Sequence, residues 1–326
     1  FFSTMFGIIT WAVDWIWFII VFVLVFCSLF TFLLPIFLQA LHKKQDLKKK
    51  YNAKWALVTG GSSGIGRGLC EHLAEQKLNI VIVALDDDLL RNFHQSLCEK
   101  YPSQEFRAVG VDLSKSEEAL KQIDEATSDI DIQIIFNNAG YILFGLFANK
   151  SMVSQMTNYH VNCTTAVMIA HHFSKKMLDK KLKGCLSFTS SPAGQMPGPM
   201  AALYGATKAF LTNFATSLAA ELRPDGIDVF VMHPSPVDTN FYSNDSVKSS
   251  SSMAFFKKTS SSPYSVAEDM LANIGRFGCV IRNQGYFAIT LQFLLRIADI
   301  QFLSILFRDT IFMNGEYREM RKQQQK

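Results

Sequence analysis

The chain has 326 residues, a formal net charge of +4 and a hydrophobic content of 49%, so it can form one large domain or two small ones. The small net charge argues against a nucleic-acid-binding protein. The six cysteines are scattered without a C-x-x-C pair, which argues against a disulfide framework or a metal site and favours buried thiols on a reducing side.

The first element in chain order is a long apolar run. Residues 15–41, WIWFIIVFVLVFCSLFTFLLPIFLQAL, contain no acidic or basic side chain. Roughly 20 helical residues span the ~30 Å hydrocarbon core of a bilayer, and a buried core helix or a cleavable signal peptide is usually shorter. We therefore predict a membrane anchor within residues 1–41, which Pro35 either kinks or terminates.

A basic linker follows at residues 42–54. It contains six lysines and a single acidic residue, Asp46. The positive-inside rule then places the rest of the chain on the cytosolic or matrix side, and the lysines also suit anionic lipid headgroups. The sequence thus predicts an integral membrane protein of the endoplasmic reticulum or a mitochondrial membrane.

Beyond the linker, short β-branched runs alternate with helical patterns. Apolar strands that are separated by helices indicate a parallel sheet covered on both faces. The predicted fold class is therefore α/β: a Rossmann-like, doubly wound parallel sheet over residues 55–285, with an N-terminal transmembrane helix and an apolar C-terminal helical segment. The predicted strands are 55–59, 79–85, 106–111, 132–137, 184–189 and 227–232, and the predicted helices are 65–76, 89–100, 116–127, 153–180 and 204–222.

A glycine-rich turn connects the first predicted strand to the first helix of this region. Its sequence is TGGSSGIG, residues 59–66. Glycines allow the backbone to turn tightly and to approach a pyrophosphate, whose charge is stabilised at the N-terminus of a helix. The predicted cofactor-binding residues of this turn are Thr59, Gly60, Ser62, Ser63, Gly64, Ile65 and Gly66.

Together with two later stretches, this turn resembles the short-chain dehydrogenase/reductase family. The turn fits the family motif TGxxxGxG, and VDLS (111–114) and NNAG (137–140) follow in the family's order; the resemblance covers about residues 50–285. It implies a nicotinamide cofactor, NAD(H) or NADP(H). The further cofactor-binding residues that it implies are Asp112 and Leu113, at the adenine, and Asn138, Ala139 and Gly140.

The stretch LYGATKAF places Tyr204 and Lys208 on one face of a predicted helix. A tyrosine has a pKa near ~10, and a nearby ammonium lowers it, so Tyr204 is a candidate for proton exchange with a substrate oxygen. The family resemblance implies further roles. Lys208 would also hold the nicotinamide ribose, Ser191 would hydrogen-bond the reacting oxygen, with Ser190 as the alternative, and Asn162 would support a proton relay through water.

The end of the second predicted strand bears on the choice of cofactor. Ala84 and Leu85 occupy the selecting positions, and Asp86 lies about 20 residues beyond Gly66, the distance typical of an acid that binds the ribose 2′-hydroxyl. This favours NAD(H) over NADP(H). Alternatively, Asp86 caps the following helix.

The stretch HPSPVDTNF follows the sixth predicted strand. By resemblance, Pro234, Val237 and Thr239 belong to the part that contacts the carboxamide of the nicotinamide. Ser235 departs from the family pattern, which often has glycine at this position.

Two segments interrupt the strand–helix alternation. Residues 243–263 are rich in serine and contain Met-Ala-Phe-Phe at 253–256, which predicts either a lid or membrane contact or a plain flexible loop. Residues 286–326 comprise an apolar part with interrupting charges and a basic tail. This pattern predicts an interfacial amphipathic helix pair, or alternatively helices that pack on the domain or on a partner.

The anchor and the motifs together resemble membrane-anchored hydroxysteroid dehydrogenases and long-chain 3-oxoacyl-CoA reductases. They predict an oxidoreductase that interconverts a carbonyl and an alcohol on a lipophilic substrate, such as a steroid, a 3-oxoacyl compound or another lipid. The alternative is an accessory subunit of a larger membrane complex that retains the fold. The family resemblance also implies a possible homodimer, formed through the helices that carry Asn162 and Tyr204.

Overall fold

The computed structural model describes residues 2–239, 241 and 260–324. The chain divides into two compact units, Phe1–His42 and Lys43–Lys326. Most of the serine-rich segment, including the predicted apolar stretch at 253–256, lies outside the described residues.

The first unit is a single helix, α1 (Phe2–Ala40). Within it, Thr10–Ala40 is long and apolar enough to cross a membrane. The helix continues through Pro35, so this proline does not terminate it. The side chains around Pro35 are apolar and cannot hydrogen-bond to backbone N–H or C=O groups. Continuing the helix therefore leaves the fewest of these groups without a partner in an apolar environment.

The second unit contains a seven-stranded sheet in the order β3-β2-β1-β4-β5-β6-β7, in which every neighbouring pair is parallel. This confirms the predicted fold class. Six strands coincide closely with the predicted runs, whereas β7 was not predicted. The strands are β1 (Trp55–Thr59), β2 (Asn79–Ala84), β3 (Phe106–Gly110), β4 (Ile132–Asn137), β5 (Gly184–Thr189), β6 (Ile227–Pro234) and β7 (Ile281–Gln284).

Helices cover both faces of the sheet. Alternate residues of each strand face opposite sides: Ala56 and Val58 of β1 join one buried apolar cluster, while Trp55 and Leu57 join another. In the described part of the second unit the α-helices are α2 (Leu47–Tyr51), α3 (Gly64–Glu75), α4 (Asp88–Lys100), α5 (Ser116–Ala126), α6 (Met152–Tyr159), α7 (Thr165–Asp179), α8 (Ala202–Leu222), α9 (Pro263–Asn273), α10 (Tyr286–Ile297), α11 (Ile300–Thr310) and α12 (Gly315–Gln324).

The basic segment between α1 and β1 is folded onto the domain. Leu47 and Tyr51 of α2 are buried. The Tyr51 hydroxyl donates to an Asp228 carboxylate oxygen at 2.7 Å, and the Lys50 ammonium lies 3.2 Å from the same oxygen. The Gln45 amide donates to carbonyls in the last turn of α9. At least one lysine of the linker, Lys50, therefore forms an ion pair within the domain.

Candidate active site

The loops at the carboxyl ends of the parallel strands surround one cavity of about 900 Å³. This is the edge at which open parallel sheets bind ligands. The cavity brings the glycine-rich turn and the predicted catalytic side chains together. The predicted residues that line it are Gly60, Ser62, Ser63, Gly64, Ile65, Ala84, Leu85, Asp112, Leu113, Asn138, Ala139, Gly140, Ser190, Ser191, Tyr204, Lys208, Pro234, Val237 and Thr239.

The turn after β1 fits a pyrophosphate. Gly60 and Gly64 have φ angles of +64° and +54°, which favour glycine, and a Cβ on Gly66 would lie 2.0 Å from the Gly60 carbonyl oxygen. Ser63, the N-cap of α3, makes no side-chain capping hydrogen bond. The backbone amides of the first turn of α3 therefore have no side-chain cap and can donate to an anion bound in the cavity. The helix dipole stabilises negative charge at this position.

Thr59 does not line the cavity; it holds the neighbouring loop in place. Its hydroxyl oxygen accepts hydrogen bonds from the backbone amides of Asn138 and Ala139 at 3.0 and 3.1 Å. Gly66 is likewise buried beneath the turn. Both residues shape the site without facing it.

Helix α8 presents the predicted catalytic residues Tyr204 and Lys208 side by side. Both are buried, and the Lys208 Nζ lies 5.7 Å from the centroid of the Tyr204 ring. The ammonium donates to the Thr189 carbonyl at the end of β5, at 2.8 Å. Because burial disfavours the charged form, the pKa of Lys208 falls from 10.5 to about 8. The positive charge of Lys208 therefore stands beside the phenol of Tyr204 at neutral pH.

The lowered pKa of Lys208 makes stability depend on pH. Between about pH 8 and pH 10.5 the unfolded chain binds a proton at this residue that the folded chain has released. The free energy of unfolding contributed by Lys208 therefore rises as the pH increases through this window. We expect Lys208→Met to lack this rise, as measured by denaturant unfolding of both proteins at several pH values. If the unfolding free energies of the two proteins depend on pH in the same way, the lowered pKa of Lys208 is wrong.

The two neighbouring serines after β5 have different surroundings. The Ser190 hydroxyl is buried and bonds to the Lys208 carbonyl (2.7 Å) and the Thr212 hydroxyl (2.8 Å) of α8. The Ser191 hydroxyl oxygen accepts from the Ala193 amide (3.2 Å), and Ser191 is less buried than Ser190 where both line the cavity. This arrangement favours Ser191 as the serine that contacts substrate.

Asn162 lies in a π-helical turn, residues 160–164, which interrupts the helix predicted over 153–180. Its side chain holds the loop after β4: Oδ1 accepts from the Tyr141 amide at 3.0 Å, and Nδ2 donates to the Tyr141 carbonyl at 3.1 Å. A Cβ on Gly140 would lie 2.9 Å from Asn162 Oδ1 and 3.2 Å from Lys208 Nζ. Asn162 therefore lies behind Gly140, close to Lys208, and does not line the cavity itself.

Residues 54–249 match the family model described as short chain dehydrogenase. The chain belongs to the short-chain dehydrogenase/reductase family. The resemblance predicted from the motifs is thereby confirmed, and with it the class of NAD(P)-dependent dehydrogenases and reductases.

Several curated relatives are similar over most of this short-chain dehydrogenase. Hydroxysteroid dehydrogenase-like protein 1 of Gallus gallus is 32% identical over 77% of this chain and 73% of its own length. A very-long-chain 3-oxoacyl-CoA reductase of Aspergillus terreus is 28% identical over 69% of this chain, and the match spans 62% of that reductase. A human relative, 31% identical over 63% of this chain and 62% of its own length, is named an inactive hydroxysteroid dehydrogenase-like protein 1.

Solved structures share the fold of this dehydrogenase. A structure from work on 7beta-hydroxysteroid dehydrogenase stereoselectivity has a TM-score of 0.68 and 23% identity, and covers 78% of this chain and 95% of its own. A short-chain dehydrogenase from Sphingobium yanoikuyae in complex with NADPH has a TM-score of 0.62 and 23% identity, over 70% of this chain and 86% of its own.

In this dehydrogenase the acidic residues after β2 have separate surroundings. Asp86 does not line the cavity, and its carboxylate lies 2.6 Å from Arg91. Asp87 is the helix cap, since its side chain accepts from the Leu90 amide at 3.0 Å, and it also lines the cavity. The helix cap considered for Asp86 therefore belongs to the next residue.

Ser235 connects the loop after β6 to the C-terminal segment of the dehydrogenase. Its hydroxyl oxygen accepts from the Ala288 amide in the first turn of α10 at 3.1 Å, with both residues buried. Phe287 and Leu291 of the same helix line the cavity. The sequence motifs do not indicate this wall, and its one local signal is the serine in place of the family's glycine.

The buried His233 joins three elements beneath the cavity. Its ring nitrogens contact the Thr212 hydroxyl of α8 (2.8 Å), the Gln195 amide (2.8 Å) and the Asn283 Oδ1 of β7 (3.1 Å). Burial lowers the pKa of His233 to about 4, so the ring is neutral at physiological pH. This histidine is structural, and it fixes β7 against the catalytic helix.

Proposed function

We propose that this chain is a membrane-anchored oxidoreductase that interconverts a carbonyl and an alcohol on a lipophilic substrate. One observation carries the proposal: a single cavity connects the uncapped N-terminus of α3 to Tyr204, Lys208 and Ser191. A dinucleotide needs a pyrophosphate site at one end and a reactive group at the other. The helix Thr10–Ala40 supports the anchor, in a membrane of the endoplasmic reticulum or the mitochondrion.

Each side chain of the site has a distinct task in this proposal. The bound nicotinamide supplies or accepts the hydride. Tyr204 donates its phenolic proton to the substrate oxygen in reduction and takes it back in oxidation, and the adjacent Lys208 stabilises the phenolate. Ser191 donates a hydrogen bond to the same oxygen. Asn162 positions the loop that carries Gly140.

The apolar wall on the Tyr204 side supports a lipophilic substrate. Ile142, Phe144 and Tyr204 form a buried cluster against which Phe241 packs, with a distance of 5.8 Å between the Tyr204 and Phe241 ring centroids. Phe287 completes the lining. A substrate that buries alkyl or ring surface gains about 25 cal/mol per Å² here. The printed names of the relatives, a 3-oxoacyl-CoA reductase and hydroxysteroid dehydrogenase-like proteins, agree with this chemistry.

We propose NAD(H) as the preferred cofactor. Among the described residues that line the cavity, Lys208 is the only lysine or arginine, and it lies at the catalytic end. The adenosine end offers the acidic Asp87 and Asp112 instead. A 2′-phosphate usually requires a basic partner, whereas a carboxylate suits a free 2′-hydroxyl.

One experiment tests activity and cofactor choice together. The full chain is purified in mild detergent, the nucleotide that co-purifies is identified, and turnover is measured with 3-oxoacyl-CoAs and oxosteroids. We expect kcat/KM to be about tenfold or more higher with NADH than with NADPH, which corresponds to ~1.4 kcal/mol. Preference for NADPH would refute the cofactor assignment alone.

The second candidate function is an accessory subunit that retains the fold, and the relatives named inactive favour it. It predicts a stoichiometric assembly with other proteins on purification, without turnover of any substrate in the panel. Free protein that turns over an oxo-lipid would exclude it.

A further inference from the structure

The chain enters the catalytic domain at the edge of the sheet opposite the cavity. Lys43 is the first residue of the second unit, and its carbonyl accepts a hydrogen bond from the Arg276 guanidinium at 3.2 Å. Arg276 lies five residues before the start of β7, and a short connection joins α2 to the amino end of β1. The cavity lies at the carboxyl ends, roughly 15–20 Å away along strands of this length. The cavity is therefore at the other end of the strands from the residue at which the chain enters this unit.

The C-terminal helix pair, α10 with α11 and the turn to Met313, lies at the cavity edge and has two different sides. Ala288 and Leu291 of α10 are buried, and α11 contains no buried residue. The two helices meet at an angle of 105°. Many large apolar side chains of the pair stay exposed, among them Tyr286, Leu294, Ile297, Phe302, Leu306 and Phe312. An exposed apolar surface of this extent marks a contact site.

We infer that this helix pair is a second membrane contact, through which a lipophilic substrate passes from the bilayer into the cavity. The inference rests on the proposed function. Two observations identify the bilayer as the occupant. The chain carries a helix able to cross a membrane, which keeps the domain beside lipid. The apolar surface is also interrupted by the exposed pair Arg308 and Asp309 (2.6 Å), as in helices that lie in the headgroup region.

The same helix forms both the outer surface and the inner wall of the cavity. Phe287 and Leu291 line the cavity, and Phe287 is also 42% exposed. Further along α10, Leu294 and Ile297 are 50% and 70% exposed. The hydrogen bond from the Ala288 amide to Ser235 holds the start of α10 against the loop after β6. An apolar path therefore continues from the exposed surface of α10 to the cavity that contains Tyr204.

Photo-cross-linking in the full chain tests the location directly. p-Benzoylphenylalanine is placed at Phe302 of the helix pair, at Phe26 of the anchor helix α1 and at Phe210, an exposed site on α8, one position per variant. Each variant is irradiated in phosphatidylcholine–phosphatidylserine vesicles and analysed by mass spectrometry. We expect lipid adducts at Phe302 and Phe26 and none at Phe210.

Two results would overturn the inference and leave the proposed enzyme intact. One is an adduct at Phe26 without one at Phe302; the other is a cross-link from Phe302 to a second protein chain. Loss of both lipid adducts would overturn the inference and the anchoring together.

A kinetic comparison tests the route. Phe302→Gln combined with Leu306→Gln is expected to raise KM severalfold for a substrate dissolved in the vesicles. The same variant should leave kcat, and the turnover of a short water-soluble ketone, unchanged. If the variant and the parent chain have the same KM for the vesicle-dissolved substrate, as they should for the soluble ketone, entry along the helix pair is refuted.

Discussion

Tyr204→Phe is expected to lower kcat by about 10²- to 10⁴-fold, the usual contribution of a positioned acid–base group. The substitution removes only the hydroxyl, and the ring keeps its place between Ile142, Phe144 and Phe241. Nucleotide affinity should change little, because Lys208 remains bonded to the Thr189 carbonyl. Steady-state kinetics and calorimetric titration with the nucleotide measure the two effects separately.

A matched substitution outside the cavity controls for the loss of a tyrosine hydroxyl. Tyr264 lies on α9, where its hydroxyl donates to Glu71 at 3.2 Å. Tyr264→Phe should retain full turnover. Turnover by Tyr204→Phe at the parent rate would remove the chemical basis of the proposed reaction.

Gly66→Ala is expected to abolish measurable dinucleotide binding and to destabilise the fold. The added Cβ would lie 2.0 Å from the Gly60 carbonyl oxygen and 2.7 Å from its carbon, both backbone atoms. The turn must therefore open, which displaces the first amides of α3 from the anion. Overpacking of this kind costs about 1–3 kcal/mol or more in unfolding free energy. Calorimetric titration and denaturant unfolding report the two losses.

Gly315→Ala provides the control for this change. An added Cβ at Gly315, the first residue of α12, meets no atom within 4 Å. Nucleotide binding should therefore equal that of the parent chain. Unaltered binding in the Gly66 variant would mean that the turn is not the pyrophosphate site.

The sequence predicts the strands that are buried along their whole length, because such strands appear as continuous apolar runs. It also predicts the phosphate turn, since a glycine cluster between a strand and a helix has few other causes. β7 escaped prediction because its residues, IRNQ, carry no apolar pattern; this strand depends on pairing with β6. Such pairing is a tertiary effect.

Side-chain surroundings were harder to predict than the backbone. Nothing local distinguishes the π-helical turn at 160–164 from the flanking α-helix. Among the consecutive acids after β2, spacing alone selected Asp86, whereas the structure turns Asp87 to both the helix cap and the cavity. The wall formed by α10 brings together positions far apart in the chain, and Ser235 is its one local signal.

The bond between Ser235 and Ala288 has a practical consequence for trimming this protein. The family match ends at residue 249, yet Phe287 and Leu291 complete the reaction chamber. A chain shortened to the shared family core would lose one side of that chamber and leave the Ser235 hydroxyl without its donor. Water would then reach the carbonyl of the proposed substrate, so the substrate selectivity of such a fragment would differ from that of the intact chain.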